Sequence, residues 1–264
     1  LGDTREKIGF EKAGIFRSAR TAICGDPMPP RSLVAHAEAI GADLWLFGRD
    51  FNYAGDKQQW NYGGRTLRRN SLAYPSLRGA NQLLNASAAL AALEALRDRL
   101  PVGAQEVRSG LVLVDLPGRF QVLPGRPSVI LDVAHNPHAA ATLAQNLENM
   151  GFHRYTFAVF GAMADKDIDG VLAQLKDKVD HWCLTDLPLP RAASAAELAQ
   201  RLESLGVLPS AEAGTEKSIE SFATPAQAFA SAQSRAGESD RIAVFGSFLT
   251  VAGVMQALRQ EKSS

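Results

Sequence analysis

The sequence predicts an α/β protein with a mostly parallel sheet in its second half. From Arg119 onward, short apolar runs that are typical of buried strands alternate with segments of helical periodicity. The predicted strands cover 129–133, 155–161, 181–186 and 241–246. The predicted helices begin near His138, Asp167, Ser194, Pro225 and Phe248. Strands and helices that alternate in this way form βαβ units, whose strands are parallel.

The first half of the chain is predicted to contain a less regular alternation. Asp3, followed three residues later by Glu6, predicts a capping box at the start of a short helix that Gly14 ends. Aromatic residues and glycines over 50–69 predict packed hairpins with a turn at 62–65. The remaining predicted elements are strands at 21–25 and 44–47 and helices at 32–40 and 81–100.

Composition narrows the class of protein. Lys plus Arg and Asp plus Glu both number 28, so no basic face for nucleic acid is expected. Cys24 and Cys183 lie far apart in apolar runs and are predicted to be buried, reduced thiols. No apolar run approaches the roughly 18 residues that a membrane-spanning helix needs. We therefore expect a cytoplasmic protein that binds neither nucleic acid nor membrane.

Polar residues gather where one predicted strand ends. The strand at 129–133 contains Asp132 and is followed by His135, before Asn136 and Pro137 force a turn. Arg119 lies upstream, beside a glycine in a predicted loop. Open α/β sheets bind ligands at the carboxyl ends of their strands. An acid, an imidazole and a guanidinium at such an end suit a nucleotide phosphate or its metal.

Four segments, in order along the chain, resemble one enzyme family. They are 1–17 with Glu-Lys-Ala-Gly-Ile, 116–137 with Leu-Pro-Gly-Arg-Phe and Leu-Asp-Val-Ala-His-Asn-Pro, 161–167 with Gly-Ala-Met-Ala-Asp-Lys-Asp, and 245–251 with Phe-Gly-Ser-Phe-Leu-Thr-Val. The chain thereby resembles the folylpolyglutamate synthases of the Mur ligase superfamily, many of which in bacteria are bifunctional with dihydrofolate synthase. This resemblance covers the whole chain.

The resemblance implies a domain organisation. Residues 1–116 correspond to the rear part of the family's central ATP-binding domain, and 117–264 to a complete Rossmann-like C-terminal domain. No Gly-x-x-x-x-Gly-Lys-Ser/Thr phosphate loop occurs in the sequence. Because the family places that loop upstream, we expect an N-terminally truncated chain that is inactive by itself.

The resemblance also implies a reaction and its participants. The expected activity is ATP-dependent ligation of L-glutamate to dihydropteroate, to the γ-carboxylate of reduced folates, or to both, through an acyl phosphate. ATP and Mg²⁺ are the expected cofactors, K⁺ is a further candidate, and a monomer is expected. Two alternatives remain open: another Mur-type amino-acid ligase, and a nucleotide-binding module without turnover.

Three residues are the expected catalytic groups. The resemblance implies that Lys12 reacts with carbon dioxide to form a carbamate that holds a metal ion. Without the resemblance, the residue by itself indicates a solvated helix lysine paired with a neighbour. Arg119 is expected to bind phosphate. His135 is expected close to the phosphates, with a strand-end histidine bonded to backbone as the alternative.

Further residues are expected to bind ATP and, less specifically, glutamate. Asp132 is expected to contact the nucleotide at its ribose, and a helical group of amides is expected to border the adenine: Asn81, Gln82 and Asn85. Helix capping is the alternative for those amides. The candidates for orienting glutamate are Asn136, Asp165, Lys166 and Ser247, with turn formation or helix capping as their alternative.

Two glycines end predicted strands of the sheet. Gly161 and Gly246 lack a side chain, so they are expected to let the backbone approach a ligand closely.

Overall fold

A computed structural model describes residues 4–56, 58–77, 79, 81–209 and 216–261. Its internal contacts divide the chain into two compact units. The first unit comprises Leu1–Ser76 and Asn81–Asp115, and the second comprises Leu77–Ala80 and Leu116–Ser264.

The first unit combines a parallel strand pair with an antiparallel sheet. Its helices are α1 (Arg5–Ala13), α2 (Arg31–Ile40), α3 (Gln82–Ala95) and α4 (Ala104–Leu113). Its strands are β1 (Thr21–Cys24), β2 (Asp43–Leu46), β3 (Asn52–Gly55), β4 (Trp60–Gly63) and β5 (Arg68–Leu72). β1 pairs in parallel with β2, and β3, β4 and β5 form an antiparallel sheet in that order.

The start of α1 differs from its prediction. The predicted cap, Asp3, lies outside the described residues, and the capping side chain is Thr4, which accepts a hydrogen bond from the Lys7 amide at 3.2 Å. Glu6 accepts instead from the backbone amides of Arg31 and Ser32 at 3.1 and 2.8 Å. A capping box was therefore the wrong interpretation, because Glu6 ties α1 to the start of α2.

The hairpin region of the first unit packs as predicted. Trp60 and Tyr62 of β4 are fully buried in a cluster with residues of α3. Glu94 of α3 is also buried, and its carboxylate accepts from the Tyr62 hydroxyl at 2.8 Å and from the Thr66 amide at 2.6 Å. These bonds fix the turn between β4 and β5. The helix predicted at 81–100 ends earlier, at Ala95.

The second unit is built on one mixed sheet. Its strands are β6 (Gln121–Leu123), β7 (Ser128–Leu131), β8 (Thr156–Phe160), β9 (His181–Thr185), β10 (Ser218–Phe222) and β11 (Arg241–Phe245), in the spatial order β10-β9-β8-β11-β7-β6. All neighbouring pairs are parallel except β6 with β7. The predicted α/β fold with a mostly parallel sheet is confirmed.

Helices connect these parallel strands, and apolar layers cover both faces of the sheet. The helices are α5 (Pro137–Asn149), α6 (Ile168–Leu175), α7 (Ala195–Ser204), α8 (Pro225–Arg235) and α9 (Phe248–Glu261). Every residue of β8, β9 and β11 is buried. Phe160, Trp182 and Phe245 lie in one layer, whereas Phe157 and Phe229 lie in the other. Each such side chain contributes roughly 1.5–3 kcal/mol through burial.

The structure confirms the expectation for the cysteines. Cys24 and Cys183 are free and buried, and burial raises the pKa of the Cys183 thiol to about 12. No helix in the described part of the chain is long and apolar enough to cross a bilayer.

His181 at the start of β9 is a buried titratable group. It is 5% exposed, and its ring lies 4.5 Å from the ring of Phe157. Its Nδ1 lies 3.0 Å from the Ser218 hydroxyl and 3.4 Å from the Arg235 guanidinium. A guanidinium only donates hydrogen bonds, so Nδ1 is the unprotonated nitrogen. Burial and the nearby charge of Arg235 hold the pKa of His181 below its usual value.

This environment makes folding stability dependent on pH. Since the folded state disfavours protonated His181, its stabilising contribution is complete above the ordinary histidine pKa of about 6.5 and is lost as pH falls toward the lower folded value. We expect the free energy of unfolding to fall less between pH 7.5 and 5.5 in His181→Phe than in the wild type. Urea denaturation at both pH values measures this, with exposed His138→Gln as the control. Equal losses in wild type and His181→Phe would contradict it.

Candidate functional site

The parallel sheet of the second unit brings several loops to one edge. The chain segments that follow β7, β8 and β11 meet there because these strands run in the same direction. The Asp132 amide donates to the Val244 carbonyl, and the Gly246 amide donates to the Ala134 carbonyl, both at 2.9 Å. The Thr250 hydroxyl donates to the Gly161 carbonyl at 2.8 Å. We call this edge, formed by 117–120, 132–136, 161–167 and 246–248, the sheet rim.

Asp132 organises the loop that carries Arg119. One of its carboxylate oxygens accepts from the Phe120 amide at 2.9 Å, and the other accepts from the Ala134 amide at 2.8 Å. Phe120 has a φ of +44°, a left-handed conformation that costs a non-glycine residue roughly 1–2 kcal/mol. Asp132 therefore stabilises an unfavourable backbone conformation next to Arg119.

The carboxylate of Asp132 is also partly desolvated. Burial raises its pKa, although the two amide hydrogen bonds and the charge of Arg119 act in the opposite direction. Each carboxylate oxygen has a second lone pair, so direct contact with a ribose hydroxyl is chemically compatible with these bonds. That contact stays a prediction.

An exposed aromatic ring joins Arg119 to His135. The Arg119 guanidinium carbon lies 5.9 Å from the centroid of the Phe248 ring, and the His135 ring centroid lies 6.4 Å from it. Phe248 is 60% exposed, although it opens α9. Among the residues that the structure describes, no carboxylate forms an ion pair with Arg119. The rim thus carries an exposed, unpaired cation that is available to an anionic ligand.

His135 has one ring nitrogen engaged with the backbone. Its Nδ1 lies 2.8 Å from the Val133 carbonyl oxygen. A carbonyl only accepts, so Nδ1 carries the proton in this assignment, and Nε2 is left for a ligand. His135 is therefore bonded to the backbone through Nδ1, as the alternative expectation had it. Its Nε2 is still available to contact a ligand.

The residues expected to orient glutamate have structural roles at the rim. Asn136 caps α5 by accepting from the Ala139 amide at 2.9 Å, and the Ser247 hydroxyl accepts from the Leu249 amide at 3.2 Å. Asp165 and Lys166 form an exposed pair at 3.5 Å. Their contacts with glutamate stay predictions.

The two strand-ending glycines are needed for packing between strand ends. A Cβ on Gly246, whose φ is +103°, would lie 2.5 Å from the Phe160 ring and 2.6 Å from the Gly161 carbonyl oxygen. A Cβ on Gly161 would lie 2.9 Å from Cγ2 of Thr185. Packing contacts within the protein therefore account for both glycines, at which close approach of a ligand was expected.

Lys12 lies on the last turn of α1 in the first unit and is exposed. The alternative of a lysine paired with a neighbour is not observed, since no ion pair or hydrogen bond joins its side chain to another described residue. Within the described ranges, no cluster of three or more His, Cys, Asp or Glu side chains could hold a metal ion. Lys12 and the other described residues therefore do not form a complete magnesium site by themselves.

The amides on α3 are accessible to a ligand. Asn81 occupies the position before α3, but its side chain makes no capping hydrogen bond. The Asn85 amide donates weakly to the Gln82 side chain at 3.5 Å. The alternative that Asn81 caps α3 with its side chain is therefore wrong. The contact of these amides with adenine stays a prediction.

Comparison with known proteins places the chain in a family. Residues 118–248 match the family model described as Mur ligase, glutamate ligase domain. The chain is 39% identical over 263 residues to the dihydrofolate synthase/folylpolyglutamate synthase of Escherichia coli, covering 100% of this chain and 58% of the relative. The Haemophilus influenzae enzyme of the same name is 31% identical, with 96% and 59% covered.

Solved structures agree with these relatives. The E. coli FolC structure in complex with DHPP and ADP has a TM-score of 0.87 and 38% identity, and the match covers 99% of this chain and 58% of that one. A bifunctional folylpolyglutamate synthase/dihydrofolate synthase with Mn, AMPPNP and L-glutamate bound has a TM-score of 0.84 and 37% identity, with 98% and 58% covered. The chain thus spans a little under three fifths of these relatives, and it belongs to the dihydrofolate synthase/folylpolyglutamate synthase family of Mur ligases.

Proposed function

We propose that the protein containing this chain ligates L-glutamate to dihydropteroate, to the γ-carboxylate of reduced folates, or to both, using ATP. The observation that carries the proposal is the exposed, unpaired Arg119, held by the Asp132-bonded loop beside His135 at the strand ends. Such an arrangement provides positive charge where open α/β sheets bind nucleotides. The family relationship, rather than the fold alone, favours this reaction over that of another Mur-type ligase or a binding module.

The proposal assigns a domain to each unit. Residues 1–116 would be the rear part of the central ATP-binding domain, and 117–264 the Rossmann-like ligase domain. The remaining expectations, a cytoplasmic location and a monomer, belong to the same proposal.

The proposed chemistry proceeds in two steps. A carboxylate oxygen of the pterin substrate attacks the γ-phosphorus of ATP, and ADP leaves, which gives an acyl phosphate. The amine of L-glutamate then attacks the acyl carbon, loses a proton, and displaces phosphate to form the amide. Such reactions depend mainly on positioning and on neutralising the charge of the phosphoryl group.

The rim residues act on phosphate in this proposal. The planar guanidinium of Arg119 matches two phosphate oxygens at once. His135, when protonated at Nε2, adds a second charge-assisted donor, while Nδ1 stays bound to Val133. Asp132 positions Arg119 through the Phe120 amide in addition to any contact with the ribose. Asn81, Gln82 and Asn85 present amides that can both donate to and accept from adenine.

Mg²⁺ accompanies ATP in the proposal and, when bound, neutralises phosphate charge. A carbamate on Lys12 would provide two oxygen atoms, the ligand type that Mg²⁺ prefers, with K⁺ as a further candidate cation. The described residues contain no cluster of His, Cys, Asp or Glu side chains that could complete the coordination of the ion. The Lys12 carbamate would therefore provide only part of the Mg²⁺ coordination.

Product analysis tests the proposed function. Protein expressed from the complete reading frame is incubated with ATP, Mg²⁺, L-glutamate and either dihydropteroate or tetrahydrofolate, and products are identified by mass spectrometry. We expect addition of one glutamyl residue, formation of ADP, and no product when glutamate is omitted. Absence of a glutamylated product with both pterin substrates would contradict the proposal.

Phe248 is expected to position the phosphate-binding groups. An exposed cation–π contact contributes roughly 0.5–1 kcal/mol, so Phe248→Ala should lower kcat/KM for ATP by about 2- to 5-fold. Its melting temperature should change little, because the ring is 60% exposed. Steady-state kinetics measures the effect, with Phe152→Ala as the control at a 90% exposed position. An equal loss in the control variant would contradict this role.

A further inference from the structure

A cavity lies within the first unit. It has a volume of about 290 Å³ and opens between β5, the end of α3 and the turn that precedes α4. Its walls combine the charged side chains of Arg69, Glu94 and Arg97 with apolar side chains. All of these residues belong to the first unit, whereas the sheet rim belongs to the second.

The cavity wall carries two guanidinium groups, those of Arg69 and Arg97, that form no ion pair with any carboxylate the structure describes. Arg69 donates one hydrogen bond to the Val102 carbonyl at 2.7 Å, and its Nε is buried without an acceptor. Arg97 is exposed, and no carboxylate in the described ranges forms an ion pair with it. A buried donor without an acceptor is energetically unfavourable. The wall therefore carries two guanidinium groups without an ion-pair partner among the described residues, and one donor atom of Arg69 without an acceptor.

The carboxylate in this wall is already committed to other groups. Glu94 accepts from the Tyr62 hydroxyl, from the amide and hydroxyl of Thr66, and from the Leu67 amide, at 2.6 to 3.1 Å. Its two oxygens therefore offer little to the guanidinium groups. With one carboxylate and two guanidinium groups, the wall has a formal charge of +1.

The rest of the wall is apolar. Leu67, Leu90, Leu93, Pro101 and Val102 provide surface that an inorganic anion would leave uncovered. The volume of about 290 Å³ is just below the range of about 300–1,000 Å³ that is typical of small-molecule sites. The positive charge of the wall favours a ligand with one negative group. Its apolar side chains and its small volume favour a ligand whose remaining part is compact and apolar.

We propose that this cavity binds a small organic monocarboxylate with an apolar body. The carboxylate pairs with the guanidinium groups of Arg69 and Arg97, and the apolar body contacts the leucine side chains. This inference does not depend on the proposed ligase activity, because it concerns residues outside the set proposed for ATP and glutamate.

Binding of benzoate tests the proposal. Leucine methyl NMR spectra of the complete protein are recorded during titration with benzoate, benzamide and inorganic phosphate, with AMPPNP and L-glutamate present to occupy the proposed active site. We expect benzoate to shift the methyl signals of Leu90 and Leu93 and to bind about 10-fold more tightly than benzamide or phosphate, which is the effect of about one charge-assisted contact.

Variants identify the groups that hold the carboxylate. Arg97→Gln should weaken benzoate about 5- to 10-fold, whereas Arg108→Gln, an exposed control on α4, should not change it. Arg69 also donates a hydrogen bond to the Val102 carbonyl, so the second variant is the conservative Arg69→Lys, which keeps a positive charge. It should weaken benzoate binding, while the methyl spectrum shows that the protein remains folded. Equal binding of benzamide, equal binding of phosphate, shifts away from these leucines, or no effect of either variant would overturn the proposal.

Discussion

Arg119→Ala is expected to lower kcat/KM for ATP-dependent glutamate ligation by about 100- to 1,000-fold, the loss seen when one preorganised donor to a developing negative charge is removed. The proposal places the Arg119 guanidinium on the transferred phosphoryl group, and no described carboxylate forms an ion pair with it. Steady-state phosphate release by the complete protein, with L-glutamate and a pterin substrate, measures the effect.

Two further variants separate charge from geometry at this position. Arg119→Lys keeps the charge but loses the planar fork, so we expect an intermediate loss. Arg126→Ala removes an exposed arginine that pairs with Glu238 at 3.5 Å, and it should leave the rate unchanged. If Arg119→Ala retained the wild-type rate, the rim would not be the phosphate site.

Lys12→Ala is expected to lower the ligation rate by about 100-fold or more, comparable to the loss of a main electrostatic contact with the phosphoryl group. The variant cannot form a carbamate and so cannot provide its two oxygens to a metal ion. Lys12→Glu places a carboxylate with two oxygens where the carbamate is proposed, so it should recover part of the rate that Lys12→Ala loses. Lys178→Ala, at a partly exposed lysine paired with Glu148, is the matched control.

Carbamate formation has its own spectroscopic test. Protein equilibrated with ¹³C-labelled bicarbonate should show a carbamate carbon signal that is absent in Lys12→Ala. A fully active Lys12→Ala variant would contradict the metal-binding role, and an active wild type without the signal would contradict the carbamate.

The strands of the second unit could be predicted because of how they are buried. β8, β9 and β11 are covered on both faces, and such strands appear in the sequence as continuous apolar runs. The elements that were missed lack this pattern. β6 has only three residues, β10 is partly exposed along its length, and α4 buries Val107 alone. Local patterns are weak where tertiary contacts decide the structure.

The candidate site was only partly predictable. Asp132, His135 and Arg119 could be proposed from their positions around one strand end and from the resemblance, and their ligand contacts stay predictions. The bond from the Phe120 amide to Asp132 spans 12 residues and depends on a left-handed conformation at Phe120 that no local pattern indicates. Phe248 could have been noticed as an aromatic residue opening a helix, but its contact with Arg119 is a tertiary feature.

Transfer of oxygen isotope from the substrate to phosphate tests the central claim most directly. The pterin substrate is labelled with ¹⁸O in the reacting carboxylate and incubated with the complete protein, ATP, Mg²⁺ and L-glutamate. An acyl phosphate requires one labelled oxygen to leave with phosphate and the other to remain in the amide. We therefore expect each phosphate released to carry one ¹⁸O atom. Unlabelled phosphate alongside the glutamylated product would contradict the mechanism.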